Sequence, residues 1–245
     1  MVRSCKTRKE TLDALWETYS PVAMLSDKNG GRVLRVRHKE SGRDMIVREF
    51  SSPVEAYEIL LPFHCRALPG IYDVISLSDG MIVFEEFIDG MTVREVMESG
   101  RYTYRGVKKV IRGVLEGLLL LHENGIIHRD VKPDNVMITP GGRVVLIDLN
   151  ASRTVKDTSH AQDASSHDTT VMGTVGYAAP EQLGIAQSDE RSDLYAVGVM
   201  INVMLTGLHP TVKMARGKAG RIVEKCTHIR LDKRFQSARE LAEHL

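Results

Sequence analysis

The run HRDVKPDN at residues 128–135 constrains this chain more than any other feature, because it puts a carboxylate, an ammonium and an amide into one short loop. After it, two apolar stretches separated by Thr-Pro-Gly-Gly predict a β-hairpin, which carries Asp148 on its far flank. This arrangement is suited to phosphoryl transfer. Asp130 can accept a proton from an attacking hydroxyl, and Lys132 can neutralise charge on the moving group. Asn135 and Asp148 offer oxygen ligands of the kind that Mg²⁺ prefers.

The composition is that of a soluble enzyme. The chain has 245 residues, enough for a substantial core in one domain or two closely joined lobes. Its 33 basic and 32 acidic residues nearly balance, so we expect no nucleic-acid or membrane partner. Cys5, Cys65 and Cys226 are odd in number and far apart, which predicts reduced thiols in the cytoplasm. The most apolar window, Leu118 to Leu121, is too short to cross a membrane.

The periodicity predicts an α+β protein, with a strand-rich part of about 90 residues followed by a helical part. The first helix carries Leu12, Leu15 and Trp16 on one face, which we expect to pack on the domain. We predict helices within residues 1–20 and over 53–63, 92–98, 104–124, 192–205 and 236–245. Strands are predicted over 33–37, 45–48, 81–88, 136–138 and 143–147.

Further motifs follow the HRDVKPDN run. Gly173-Thr174 precedes Ala179-Pro180-Glu181, and the segments SDLY (192–195) and RFQSA (234–238) come later. Together these motifs resemble the protein-kinase fold, specifically the bacterial Ser/Thr kinases of eukaryotic type, over roughly residues 20–245. The resemblance implies a two-lobed α+β fold. It comprises a helical extension (1–20), a small N-lobe with an antiparallel sheet and one helix (21–86), and a larger helical C-lobe (87–245) with a shortened region before the last helices.

The resemblance also implies an activity, namely transfer of the ATP γ-phosphate to Ser or Thr hydroxyls of proteins, with Mg²⁺. Asp130, Lys132 and Asn135 would be catalytic, and Asn135 and Asp148 would bind the metal. The residues with an implied structural role are His128, Arg129, Thr174, Glu181, Asp193 and Arg234. Thr174 would hydrogen-bond both Asp130 and Lys132, Glu181 would pair with Arg234, and Asp193 would brace the catalytic loop.

The resemblance implies that the segment 148–181 is an activation loop. Thr169 and Thr170 stand where related kinases phosphorylate themselves, and a phosphate there could pair with Arg129 and order the loop. The alternative is that both are ordinary solvated hydroxyls. Leu149 and Asn150 replace the usual Phe-Gly after the metal aspartate. Leu149 can fill the apolar slot, and Asn150 tolerates left-handed dihedrals.

The ATP-binding half departs from the family pattern. Arg48 stands where a strand lysine is usual, and a planar guanidinium does not replace a compact ammonium in a tight site. Of the three glycine positions in the phosphate loop only Gly31 matches, since Ser26 and Lys28 occupy the others. The expected ATP-binding residues are Arg48, Glu55, Gly31, Val33, Glu86 and Ile88. Glu58 is the runner-up to Glu55 as the partner of Arg48, and Glu85 takes the gatekeeper position, where a carboxylate needs a partner.

These departures leave alternatives open. In the first, Arg48 contacts the phosphates in an altered geometry. In the second, Lys28 lends a charge from the loop. In the third, the enzyme is slow or is a pseudokinase that binds nucleotide or partners without catalysis. A small-molecule phosphotransferase is disfavoured by Thr174 and by the Ala-Pro-Glu segment. The shortened region after Pro210 is basic, with Lys213, Arg216, Lys218 and Arg221. We expect a solvated helix face there, and a site for an acidic partner is the alternative. The sequence does not indicate the oligomeric state.

Overall fold

The structure, a computed structural model, describes residues 8–28, 31–155, 174, 176–183 and 188–245. The chain divides into two compact units. The first contains the residues up to His64 together with Pro69–Ile88, and the second contains Cys65–Leu68 and the residues from Asp89 onward. The division at residues 20 and 86 inferred from the motifs stays a prediction.

The first unit is built on a five-stranded antiparallel sheet with the order β1-β2-β3-β5-β4. Its elements are α1 (Arg8–Thr18), β1 (Tyr19–Lys28), β2 (Gly31–His38), β3 (Asp44–Phe50), α2 (Glu55–Leu60), β4 (Ile71–Leu77) and β5 (Gly80–Glu86). The sequence analysis missed β4. A register shift between Ile71 and Asp73 interrupts the alternation of apolar and polar residues by which a strand is recognised.

Helix α1 packs on one face of this sheet, as predicted. Leu15 belongs to a buried cluster, and Leu12 and Trp16 pack against it. The other members of that cluster are Leu34, Val36, Val47, Leu77 and Ile82. Arg8 ties the start of the helix to the sheet, because its guanidinium donates to the Phe50 carbonyl at 2.9 Å.

Helix α2 is shorter than the predicted helix over 53–63. It spans Glu55–Leu60, and its N-cap residue, Val54, provides no side-chain hydrogen bond to the first turn. Pro62 then prevents continuation, because proline lacks the amide proton and restricts the residue before it.

The second unit is mainly helical. Its helices are α3 (Val93–Glu98), α4 (Tyr104–Glu123), α5 (Glu190–Thr206), α6 (Gly217–Cys226) and α7 (Ala238–His244). Its short strands are β6 (Met91–Thr92), β7 (Ile126–Ile127), β8 (Val136–Ile138), β9 (Val144–Leu146) and β10 (Arg153–Thr154). They form a three-stranded sheet, β6-β8-β9, and a two-stranded sheet, β7-β10. The predicted hairpin is therefore present as β8 and β9.

Side-chain caps explain where the helices of the second unit begin. Helix α5 starts two residues before the predicted position because the Asp189 carboxylate accepts a hydrogen bond from the Arg191 amide. Helix α7 starts two residues after its own predicted position because Ser237 caps the first turn. Helix α4 is followed by Gly125 with φ +68°, the left-handed conformation expected of a glycine C-cap.

The segment Cys65–Leu68 is fixed against the β8–β9 hairpin. The Leu146 amide donates to the Ala67 carbonyl at 2.8 Å. The Arg143 guanidinium donates to the carbonyls of Arg66 at 2.7 Å and Leu68 at 3.1 Å. In the part of the chain that the structure describes, no helix combines the length and apolarity needed to cross a membrane.

Candidate active site

Four side chains form one hydrogen-bonded cluster, three from the loop 128–135 (the predicted catalytic loop) and Thr174 from the segment 148–181. The Asp130 carboxylate accepts from Lys132 Nζ at 2.7 Å through one oxygen, and from the Thr174 hydroxyl at 2.7 Å through the other. Lys132 Nζ also donates to Thr174 Oγ1 at 2.6 Å. Asn135 Nδ2 donates to both the carboxylate and the carbonyl of Asp130 at 2.9 Å. Both contacts that the resemblance implied for Thr174 are therefore present.

The backbone of the catalytic loop is held by Asp193 of α5. Its carboxylate accepts from the amides of His128 at 2.9 Å and Arg129 at 2.8 Å. Arg129 has φ +66°, a left-handed conformation that costs a non-glycine residue about 1 to 2 kcal/mol. The two charge-assisted bonds offset that cost, and they place Asp130, the next residue, at the site.

The pKa of Asp193 reflects this role. The side chain is fully buried, and burial alone would raise the pKa of the carboxyl. Interactions with His122, whose Nε2 lies 2.8 Å from the carboxylate, and with His128 outweigh this effect of burial. The pKa of Asp193 therefore lies below its ordinary value. The sequence analysis missed His122, which lies in the last turn of α4 and has no motif of its own.

Asp148 follows β9 and is positioned by its neighbour. The Ile147 amide donates to the Asn135 carbonyl at 2.9 Å, and the His128 ring lies 3.2 Å from the Ile147 carbonyl. Asp148 itself is left-handed, with φ +72°, whereas Asn150 is not. The tolerance of Asn150 for left-handed dihedrals is therefore not used, because the residue in that conformation is two positions earlier. Leu149 is buried, as expected for a residue in an apolar slot.

The residues predicted to hold Mg²⁺ fit a hard cation in their chemistry. The Asn135 amide nitrogen points to Asp130, so the amide oxygen points the other way and is suited to metal ligation. Asp148 adds a carboxylate. Among the described residues there is no group of three or more His, Cys, Asp or Glu side chains that could hold a metal ion.

The Ala-Pro-Glu segment is anchored by a buried ion pair. The Arg234 guanidinium binds Glu181 through two bonds, at 2.6 Å and 3.0 Å, and both side chains are almost fully buried. Ser192 donates to the same carboxylate at 2.8 Å. The pairing implied for Glu181 and Arg234 is therefore present.

Gln182, which the sequence analysis missed, connects this segment to the catalytic loop. Its amide nitrogen donates to the Arg129 carbonyl at 2.8 Å, and its amide oxygen accepts from the Ala179 amide at 3.0 Å. Its place directly after the Ala-Pro-Glu motif was the one available signal.

In the first unit, Arg48 has a partner on the neighbouring strand. Arg48 Nε donates to Glu85 Oε1 at 2.6 Å, and the two side chains are 7% and 5% exposed. In the register of β3 and β5, Ile46 lies opposite Glu85, so Arg48 is two residues further along the same face of the sheet. The residue in the lysine position and the residue in the gatekeeper position are thus a matched pair. The sequence analysis stated that Glu85 needs a partner but did not identify Arg48.

The other residues predicted to bind ATP also belong to the first unit. Gly31 begins β2, and Val33 lies opposite Arg48 in the register of β2 and β3. Glu55 is the exposed first residue of α2. Glu86 ends β5, with its amide bonded to the Gly70 carbonyl at 2.8 Å, and Ile88 is buried just beyond. Glu58 accepts from Ser76 at 2.7 Å. Thr169 and Thr170 lie outside the described residues.

Known proteins resemble this chain over most of its length. A family model described as a protein kinase domain matches residues 29–244. Serine/threonine-protein kinase PknL of Mycobacterium tuberculosis is 38% identical over 146 residues, which are 59% of this chain and 35% of that protein. A probable serine/threonine-protein kinase of Streptomyces coelicolor is 37% identical over 153 residues, 60% of this chain and 22% of that protein. The probable kinase PknB of Corynebacterium glutamicum is 40% identical over 126 residues, 51% of this chain and 19% of that protein. The matched region thus spans about a third or less of these curated relatives.

Proposed function

Because the chain belongs to the protein kinase family, we propose that it is a serine/threonine protein kinase that transfers the γ-phosphoryl group of ATP to protein hydroxyls. The observation that carries the proposal is the cluster of Asp130, Lys132, Thr174 and Asn135. The names of the similar bacterial proteins, all serine/threonine-protein kinases, support the same substrate class.

In the proposed reaction Asp130 orients the substrate hydroxyl and accepts its proton. The hydrogen bond that the Thr174 hydroxyl donates to Asp130 at 2.7 Å supports this role, because a substrate hydroxyl is a donor of the same kind. Lys132 neutralises negative charge that develops on the transferred group, and its bond to Asp130 at 2.7 Å fixes the ammonium beside the proton acceptor.

Asn135 and Asp148 would hold Mg²⁺, which when bound neutralises the phosphate oxygens. Asn135 has a second role that needs no metal, because its two bonds to Asp130 fix the rotamer of the catalytic carboxylate.

For the first unit, we propose that Arg48 contacts the phosphates, supported by Glu55. Gly31 and Val33 would cover the nucleotide, and backbone groups of residues 86–88 would bind adenine.

The reaction is tested with radiolabelled ATP, Mg²⁺ and a mixed protein substrate. Wild type should incorporate label, and Asp130→Ala should lower the rate by about 10²- to 10⁴-fold, the usual contribution of a general base. Asp13→Ala, at an exposed aspartate of α1, is the matched control and should leave the rate unchanged.

Arg48→Lys distinguishes the alternatives left open by the sequence. A wild type that binds nucleotide but transfers no label, with transfer restored by Arg48→Lys, would contradict the kinase proposal and favour a nucleotide-binding pseudokinase. Label on serine or threonine, identified by mass spectrometry, is required for the protein-kinase form of the proposal.

We propose further that Thr169 and Thr170 are autophosphorylated and that the phosphate pairs with Arg129. The double variant Thr169→Ala/Thr170→Ala should then lose activity, while Ser165→Ala/Ser166→Ala, in the same segment, should not. An unchanged rate in the threonine variant would refute this switch.

A reducing compartment such as the cytoplasm suits the free thiols of Cys65 and Cys226.

A further inference from the structure

The second unit carries a cleft whose lining is strongly positive, although the whole chain has a net charge of only +1. The cleft encloses about 670 Å³, within the range of about 300 to 1,000 Å³ typical of binding clefts. Glu116 is the single acid that lines it. Its cations are Arg66, Arg105, Lys108, Lys109 and Arg112.

Four of these cations lie on one face of α4, at positions 105, 108, 109 and 112, which is the three- and four-residue spacing that brings helix side chains together. Like charges at this spacing repel each other. The first turn of α4 also lacks an acidic residue, so the cations add to the positive end of the helix dipole. Within the described part of the chain, none of the five cations forms an ion pair with a carboxylate. The described part of the chain thus concentrates positive charge in this cleft, and an anionic ligand would neutralise it.

The fifth cation, Arg66, comes from a different part of the chain, and its backbone is fixed by a hydrogen bond. Arg143 donates to the Arg66 carbonyl at 2.7 Å, which fixes the segment Cys65–Leu68 beside the cleft. Lys109 reaches the hairpin turn, since a methyl group at Gly142 would lie 2.8 Å from its Nζ. A neighbouring cleft of about 310 Å³ shares Tyr104 and adds Arg216 and Lys218, which extends the basic surface.

We propose that this cleft binds a carboxylate-rich segment of a protein partner in an extended conformation. The cations from Arg105 to Arg112 are spread over about 10 Å along the helix, given a rise of about 1.5 Å per residue. This spread matches two carboxylates on one face of an extended peptide, where side chains recur about every 7 Å, better than one compact phosphate group. Three of the five cations are arginines, whose planar fork binds carboxylates through two bonds.

The geometry disfavours a nucleic acid in the same cleft. Proteins that bind single strands stack bases on exposed aromatic faces. Tyr104 is the one aromatic residue among those lining the cleft, and Lys108 Nζ lies 5.2 Å from its ring centroid, so an ammonium occupies a face of that ring. Binding at this cleft does not depend on the catalytic activity proposed above.

The test is fluorescence polarisation with a labelled eight-residue peptide of alternating Glu and Ala, and with a Gln-Ala peptide as its uncharged match. Wild type should bind the Glu peptide, more weakly as salt is raised, and should not bind the Gln peptide. Lys109→Glu/Arg112→Glu should weaken binding at least tenfold. Lys9→Glu/Arg43→Glu, which makes the same change of charge at exposed sites of the first unit, should not weaken it.

Several results would overturn the proposal. They are no binding of the Glu peptide to wild type, equal loss in both double variants, or tighter binding of a singly phosphorylated peptide or a single-stranded oligonucleotide. If the charge reversal disturbs folding, Lys109→Gln/Arg112→Gln is measured instead, with the same tenfold loss expected. Asp130→Ala should bind the peptide as wild type does, which separates this proposal from the fate of the kinase assay.

Discussion

The buried pair of Arg48 and Glu85 offers the sharpest test of how the first unit is stabilised. At about 4 Å between charge centres and an effective dielectric constant of about 20, the attraction is about 4 kcal/mol. Burying the two ions costs several kcal/mol each, which offsets that gain. The pair as a whole should therefore contribute little net stability. Removing one charge while the other stays buried should be strongly destabilising.

We expect Arg48→Met and Glu85→Leu each to lower the free energy of unfolding by about 3 to 5 kcal/mol, and the double variant to be close to wild type. The side chains that justify this range are 7% and 5% exposed. The measurement is urea unfolding of all four proteins, followed by a probe in the first unit. The two units need not unfold together, so a signal from each is required.

The matched control is the pair of Arg239 and Glu123, which are 69% and 60% exposed and 3.4 Å apart. Its coupling energy should not exceed about 1 kcal/mol. A coupling energy for Arg48 and Glu85 as small as that of the control would refute the reasoning. It would mean that water reaches the pair or that other groups carry the charges.

Three further predictions concern other parts of the molecule. Asp193→Asn should lower the free energy of unfolding at neutral pH. Since the pKa of Asp193 is lowered in the folded state, the wild-type advantage should be complete above about pH 4 and shrink as the pH falls through the folded pKa; a difference independent of pH would contradict this. Gly80→Ala should destabilise the first unit by about 1 to 3 kcal/mol more than Gly100→Ala destabilises the second. Both glycines have a positive φ, but of the two only Gly80 has a backbone oxygen, that of Phe50, 1.9 Å from the position of the added methyl group. Equal shifts in melting temperature would exclude the steric cause. Arg105→Glu, in the first turn of α4, should raise the free energy of unfolding by about 0.3 to 1 kcal/mol by complementing the helix dipole, and a loss of stability in urea titrations would argue that Arg105 already has a favourable contact.

Much of the second unit could be predicted because its motifs are local and its contacts follow from them. The HRDVKPDN run indicated the Asp130 cluster, and the Ala-Pro-Glu segment indicated the partner of Arg234. His122 and Gln182 could not be recognised in this way. Each acts through a single buried side chain whose partner is distant in sequence, and no periodic pattern marks such a residue.

The first unit was less predictable, for two physical reasons. A register shift in β4 interrupts the alternation by which a strand is recognised, and Pro62, together with the lack of a side-chain cap at Val54, makes α2 shorter than apolar spacing indicates. The pair of Arg48 and Glu85 depends on the register between β3 and β5, and register is a property of two strands together. The need of Glu85 for a partner was evident from its chemistry, but the identity of that partner was not.

The bonds from Asp193 to the catalytic loop also set an order of events during protein synthesis. Asp193 follows Arg129 by 64 residues. At about 5 to 20 residues per second, a ribosome needs roughly 3 to 13 s to translate that interval. Through those seconds the nascent loop has no carboxylate to hold Arg129 in its left-handed conformation. The loop therefore takes its final shape only after α5 has left the ribosome, and nascent chains that stop earlier do not assemble the catalytic geometry.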